Sequence, residues 1–343
     1  MTRGLTRARL ARLTGVRLLI ISGHEAWIHQ LGALGAELHL LDGLPGRESR
    51  AWDSHLRPFP AGARLVTLDE VRFGAASYDC IVAHGMRDLV ETRSVDAPRL
   101  LVLHDMLASG MGRAPSAAEP REMRTLLNGA LVSVGGHAVA VSRAKARSWG
   151  VTHLVLQDSV APDDYLPHVG DVACGVRVAS RVAERREALA WDFHEGALGG
   201  LPLRIVGDNP GMAGAAPADD WHHLKRILAS HRFAVHTADP RLEDGHDLAL
   251  LEAMAAGLPV LTNRHPTTIV EHGVSGFVAG TPGEMRAHAE RLLGDEALAR
   301  RLGENARAYV ARHHSPSRFR AEFRQAVTEA RKKWARRRGT VAR

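Results

Sequence analysis

Residues Leu242 to Val260 put titratable groups in a setting that demands an explanation. Leu242-Glu243-Asp244-Gly245-His246-Asp247 reads as a turn rich in acids, and it runs directly into the apolar stretch Leu248 to Ala256. That stretch has helical character and carries one carboxylate, Glu252. Gly257 readily takes the left-handed conformation that closes helices. Pro259 blocks continuation, and Val260-Leu261 reads as a buried strand. A turn followed by a helix start gathers unpaired backbone N–H groups at the positive end of a helix dipole, and such an end attracts phosphate. A carboxylate inside an apolar helix must be paired or bound to something. Its two oxygens can accept from a pair of adjacent donors. The plainer alternative for Glu252 is a cap or salt bridge on a partly exposed helix.

Asp244 is either open to a ligand or a turn acid capping the helix, a position Asp favours. Asp247 is the better N-cap, which leaves Asp244 freer. Arg181, Arg185 and Arg186 follow the strand-like run Ala173 to Ala179, and Arg185 competes with Arg186 for any anion-binding role. Charge-assisted bonds from Arg to phosphate are strong and often bidentate. The alternative for Arg186 is a solvated helix face. His104 ends an apolar run and is one of 20 histidines, so a structural role competes with a functional one; the same holds for His84. Gly23 follows the first apolar run and would let a loop approach a ligand closely. No spacing of Cys, His, Asp or Glu suggests a metal site; Asp219-Asp220, followed by Trp221, does not read as a metal-holding pair.

Short apolar runs alternate with helical stretches throughout. Strands are expected at Arg17–Gly23, Ala36–Leu41, Arg64–Thr67, Tyr78–Gly85, Arg99–Asp105 and His137–Ser142. Helices are expected at Glu25–Gly35 and Glu122–Gly135. The second half repeats the pattern, with strands at Ala173–Ala179, Leu203–Asp208 and Phe233–His236. Its helices are expected to start at Glu184, to cover His222–Ala229, and to fill most of Pro282–Arg312 and Phe319–Arg336. Near-continuous branched and Leu runs between helices indicate parallel sheets covered on both faces. The fold class is therefore α/β, with two Rossmann-like domains whose sheets face across a cleft. The expected domains are 1–160 and 170–315, joined near Gln157–Val169, followed by a C-terminal helix and basic tail over 316–343. In open α/β sheets ligands bind outside the carboxyl ends of the strands.

At 343 residues the chain has room for two cores. Hydrophobic residues make up 45% and charged residues 24%, ordinary values for a globular protein. The net charge is +7, and only Lys145, Lys225, Lys332 and Lys333 are lysines, so arginine supplies nearly all the positive charge. Basic residues concentrate at Arg3, Arg7, Arg9 and Arg12 and again from Arg331 to Arg338. They are either solvated termini or a contact for anionic lipid headgroups or a polyanionic acceptor. No aromatic platform or helix-turn-helix pattern accompanies them, which argues against nucleic acid. No apolar run is long enough to span a bilayer, and Met1 to Arg17 makes a poor signal peptide. Cys80 and Cys174 give no disulfide framework. A cytoplasmic protein, peripheral at most at the inner face of a membrane, is expected.

Glu252-Ala253-Met254-Ala255-Ala256-Gly257-Leu258-Pro259-Val260 resembles the signature of the retaining glycosyltransferases of family 4, which have the GT-B fold. Asp244-Gly245 stands where that family usually has Glu-Gly, and His246-Asp247 replaces its common Phe-Gly. Ile269 to Val278 resembles the family's next block, and Leu203 to Pro210 its strand and turn before the base-binding region. Ser180 to Arg186 sits where the family has Gly-Arg followed by Lys-Gly. Tyr78 to Gly85 and Val102-Leu103-His104-Asp105 resemble N-domain strands ending in histidines. The resemblance implies transfer of a sugar from a nucleoside diphosphate sugar to an acceptor hydroxyl, with retention and no metal or other cofactor. It implies Asp244 and His104 beside the reacting sugar, and Glu252, Arg181, Arg186, Gly245, His246, Asp247 and Gly23 around the donor. It also implies a final helix that returns to the N-terminal domain. The departures at Asp244, His246 and Asp247 leave a second reading, a catalytically silent binding or scaffolding subunit.

Overall fold

The computed structural model describes residues 13, 15–21, 23–44, 52–109, 118–151 and 154–341. Arg3, Arg7, Arg9 and Arg12, whose charge suggests a lipid contact, lie outside the described residues. The chain divides into two compact units. The first gathers residues 1–104, 116–158 and 316–343; the second gathers 105–115 and 159–315.

The first unit is built on a parallel sheet of β1 (Arg17–Ile21), β2 (Glu37–Leu41), β3 (Ala63–Val66), β4 (Cys80–Ala83), β5 (Arg99–Leu103) and β6 (His137–Ala140), in the order β3-β2-β1-β4-β5-β6. This is the doubly wound order, with its switch point between β1 and β4. Strands β4, β5 and β6 are buried at every position, which explains their unbroken apolar runs. Leu18, Ile20, Leu38, Leu40, Val82, Leu100 and Val102 form one core face. The last helix, Pro316–Val341, packs on that face through Phe319, Phe323, Ala326, Val327 and Ala330. The expected helix Glu25–Gly35 is instead a short α-helix, Glu25–His29, followed by a 3-10 turn, Gln30–Leu34.

The second unit repeats the architecture with β7 (Val172–Val178), β8 (Leu203–Val206), β9 (Ala215–Ala216), β10 (His231–His236), β11 (Val260–Asn263) and β12 (Gly276–Ala279). The order β12-β11-β10-β7-β8-β9 is the same winding, with the switch point between β7 and β10. The two-residue strand β9 lies inside the Gly-, Ala- and Pro-rich stretch 207–220, whose composition hides it. The helix expected from Glu184 does not form there. Residues 182–190 make successive turns, and the helix starts at Trp191 and ends at Leu198. The stretch expected as largely helical over Pro282–Arg312 is two helices, Pro282–Gly294 and Glu296–His313. They are separated by Asp295, whose carboxylate caps the second at Leu298 N.

Candidate functional site

In the second unit the carboxyl ends of β7 and β10 frame the switch point, and three loops meet there. The first follows β7. Arg181 adopts φ 53, the left-handed region that non-glycine residues seldom occupy, and its N–H donates to the Asp208 carbonyl at 2.8 Å. Asn209 closes the same corner, accepting from Val182 N at 2.9 Å and donating to the Ala179 carbonyl at 2.8 Å. Ala190 is the only other described non-glycine residue with positive φ, at 45°. The turn-rich segment 181–190 is thus bounded by two unfavourable backbone conformations, which persist only where surrounding bonds over-determine them.

The second loop is the acidic turn. The Asp244 carboxylate is fully buried, 0% exposed. Its Oδ1 accepts from Gly245 N at 2.8 Å and, in a very short contact, from the Thr267 hydroxyl. Gly245 N is also 2.9 Å from Thr267 Oγ1. A Cβ on Gly245 would stand 2.5 Å from His265 Nδ1 and 2.6 Å from Thr268 N, so glycine is required by the approach of the 265–268 loop. His246 Nδ1 lies 3.3 Å from the Thr267 carbonyl. Where the sequence suggests an Asp244 freed for a ligand, the structure shows a carboxylate bonded to Gly245 N in its own turn and to Thr267 of the 265–268 loop. Neither Thr267 nor His265 stands out in the sequence, since neither breaks a periodic pattern.

The third component is the helix Leu248–Ala256. Asp247 caps it, its side chain accepting from Leu250 N at 2.8 Å. Gly257 ends it at φ 93. Glu252 is 6% exposed within a helix buried nearly throughout. Burial pushes the His236 imidazole at the end of β10 below its usual range, against the pull of Asp247. Burial does the same to His265, against the pull of Asp244.

The two competing arginines separate clearly. Arg186 is exposed and holds Asp192 at 2.5 Å and Glu195 at 2.6 Å. Those bonds, first with Glu195, raise its pKa and engage its charge on the surface. Arg185 reaches Glu243 Oε2 at 3.3 Å, and Glu243 Oε1 accepts from Asp244 N at 3.0 Å. Arg185, not Arg186, therefore adjoins the acidic turn.

In the first unit Gly23 follows β1 with φ 122 and is exposed. His84 and His104 leave the ends of β4 and β5 with His84 Nδ1 2.8 Å from His104 Nε2. His24 stacks on His104 at 4.6 Å between ring centroids, and Trp27 meets the half-buried His84 and His104 rings edge-on. Asp88 fixes the loop, accepting from His84 N at 2.6 Å and Gly85 N at 3.0 Å. Burial drives both His84 and His104 well below the ordinary imidazole range, so both are neutral near pH 7. Such a pair can accept or donate hydrogen bonds but carries no fixed charge. Among the described residues no group of three or more His, Cys, Asp or Glu is placed to hold a metal ion, and no helix is long and apolar enough to cross a membrane.

Residues 185–325 match the family described as glycosyl transferase-like. The chain is 37% identical over 76 residues to a glycosyltransferase 1 domain-containing protein from Xenopus tropicalis, a stretch covering 22% of each chain. It is 40% identical over 140 residues to an exopolysaccharide phosphotransferase of Streptomyces coelicolor, covering 36% of this chain. The chain thus spans 22% and 14% of the length of these two relatives. Among solved structures, Anabaena HepE in complex with UDP-glucose is similar at 16% identity and a TM-score of 0.66, over 91% of this chain and 99% of HepE. The paired six-stranded parallel sheets have the GT-B fold of such glycosyltransferase structures.

Proposed function

We propose that this chain is a retaining glycosyltransferase that moves a sugar from a nucleoside diphosphate sugar to an acceptor hydroxyl. The observation that carries the reading is Glu252, buried in an apolar helix capped by Asp247 beside the β7–β10 switch point. It lies inside the segment that matches the glycosyl transferase-like family. In this reading Glu252 accepts from the two ribose hydroxyls. Arg181 and Arg185 bind the diphosphate, with the start of the Leu248–Ala256 helix adding partial positive charge. Asp244 orders the turn that carries His246 to the sugar. His104 takes the sugar or acceptor side as a neutral hydrogen-bonding group.

In the reaction the bond between the anomeric carbon and the β-phosphate oxygen breaks, and its electron pair leaves with the diphosphate. The acceptor oxygen attacks the same face, and its proton passes to the departing phosphate oxygen. The protein supplies positioning and charge stabilisation. No metal is assigned a role, and activity in the presence of a chelator tests that. UDP-glucose is bound by the similar HepE protein, and it heads the donors to examine.

The test is a thermal-shift screen of nucleoside diphosphate sugars, followed by product analysis with anomeric configuration read by NMR. A donor at a hundredfold excess over its dissociation constant stabilises the fold by about 2.7 kcal/mol. Glu252→Ala should weaken that donor by about 1–3 kcal/mol, the scale of hydrogen bonds to a charged group. Absence of any nucleotide binding would end the enzyme reading. A second reading, a silent binding subunit, is favoured by the fully buried, internally bonded Asp244. Donor binding without transfer or hydrolysis would select it.

A further inference from the structure

Arg177 lies on β7, one residue before the strand's end, and is 2% exposed. Its side-chain bonds go to neutral groups. Nη1 donates to His194 Nδ1 and to Thr237 Oγ1, both at 2.8 Å. Nη2 donates to the Leu189 carbonyl at 3.1 Å and the Thr237 carbonyl at 3.2 Å. The guanidinium lies 4.9 Å from the centre of the Trp191 ring, and Trp191 stacks on His194. Thr237 in turn donates to the Leu189 carbonyl at 2.6 Å. Among the described residues no carboxylate stands within ion-pair distance of Arg177. A buried ion without a counter-charge is strongly disfavoured.

The placement explains what could offset that penalty. Leu189 belongs to the segment 181–190 that bears Arg181 and Arg185, and Thr237 follows β10 directly. Arg177 therefore ties two of the loops framing the switch point and sets a positive charge in its floor. Burial lowers its pKa to about 9, with Asp247 pulling upward and Arg185 downward, which places it within electrostatic range of both loops. The guanidinium is still protonated at neutral pH. His194, pushed by burial and by Arg177 to about 3, stays neutral and accepts.

We propose that Arg177 is a charge-supplying and positioning residue whose missing counter-ion is the diphosphate of the bound donor. Without touching the ligand, it holds the arginine-bearing loop in register and stabilises the negative charge that grows on the leaving diphosphate. The inference rests on the nucleotide-binding reading above.

The experiment compares the wild type with Arg177→Met and Arg177→Lys, each first checked for folding by circular dichroism. Calorimetry measures binding of uridine, UMP and UDP, and of the guanosine and adenosine series. At separations of several ångströms in a protein interior, one unit charge changes diphosphate affinity by about tenfold or more. Arg177→Met should therefore lose about tenfold or more for the diphosphate, less for the monophosphate, and under about twofold for the nucleoside. Arg177→Lys, compared at pH 6 so that a buried ammonium stays protonated, keeps the charge and should recover more than half of that loss on a logarithmic scale. Equal losses across the three ligands would make Arg177 a structural tie alone and overturn the proposal. So would an unchanged diphosphate affinity in Arg177→Met, or a lysine variant no better than methionine. A wild type that binds none of the nucleotides would instead remove the nucleotide-binding reading, and the inference with it.

Discussion

His84 Nδ1 and His104 Nε2 lie 2.8 Å apart at the ends of neighbouring strands, so one hydrogen bond fixes the orientation of both rings. Because burial keeps both imidazoles neutral, a single proton occupies the space between them, and each ring's other nitrogen must take the complementary role. His104→Ala removes that ring while leaving the second unit's loops intact. It should lower turnover by about tenfold or more, the low end of what one positioned proton-transfer or hydrogen-bonding group contributes. Nucleotide affinity should stay within about twofold. Steady-state rates and calorimetry read the two effects separately, and an equal loss in both would place His104 outside the chemistry.

Acid should destabilise the protein earlier than an ordinary protein of this size. His84, His104, His137 and His194 all have pKa values lowered by burial, His137 to about 4 and His194 to about 3. Below about pH 6.5 the unfolded chain binds protons that the native state refuses, so stability falls as pH drops toward the folded values. For His137 and His194 the loss between pH 6.5 and pH 5 is about 1.6 kcal/mol each. Both ring nitrogens of His137 are buried without a hydrogen-bond partner. His137→Leu should accordingly flatten the acid limb by about one histidine's share. Urea unfolding at pH 7.5, 6 and 5 checks this; parallel acid limbs in the two proteins would refute it.

The strands were legible because parallel, doubly covered strands read as unbroken apolar runs. β4 and β5 are recovered to within two residues at each end. The Leu248–Ala256 helix was legible from its punctuation, Asp247 before it and Gly257 after it. What the sequence concealed depends on contacts between segments distant in the chain. Residues 182–190 contain good helix formers yet make turns, because Arg181 and Ala190 are held in left-handed conformations. Thr267 reaches Asp244 across 23 positions, and no local pattern announces it. Arg177 was visible in principle: a charged residue between Val176 and Val178 is the same anomaly that singles out Glu252. Its partners Leu189 and Thr237 were not, since backbone carbonyls leave no trace in residue types.

Asp244 should behave as a structural acid as well as a site residue. It is fully buried and accepts from Gly245 N and the Thr267 hydroxyl. Asp244→Asn keeps the size but removes the charge that strengthens both bonds. It should cost about 1–3 kcal/mol of stability, the penalty for weakening a buried hydrogen-bonded group. Thr267→Val removes the hydroxyl but leaves Asp244 its charge and its bond from Gly245 N, so it should cost less, and the double variant should cost less than the sum because the two share a bond. Chemical denaturation of the four proteins gives the cycle. A fully stable Asp244→Asn with impaired turnover would show instead that its charge serves the substrate alone.

The final prediction separates Arg185 from Arg186. Arg186 is held on the surface by Asp192 and Glu195, so its guanidinium would have to abandon two carboxylates to meet a phosphate. Arg185 pairs with Glu243 at 3.3 Å, and Glu243 adjoins the acidic turn. A shift of Arg185 from Glu243 to an incoming diphosphate exchanges one anion for a more highly charged one, and Arg suits phosphate bidentately. Arg185→Ala should therefore weaken diphosphate binding by about 1–3 kcal/mol, the worth of hydrogen bonds to a charged group, while sparing the nucleoside. Arg186→Ala should change neither affinity by more than about 0.5 kcal/mol, because exposed ion pairs of its kind contribute little. Calorimetry with both ligands on both variants decides the matter. A larger diphosphate loss in Arg186→Ala would mean that the bound donor draws Arg186 away from Asp192 and Glu195 and would return the second phosphate contact to Arg186.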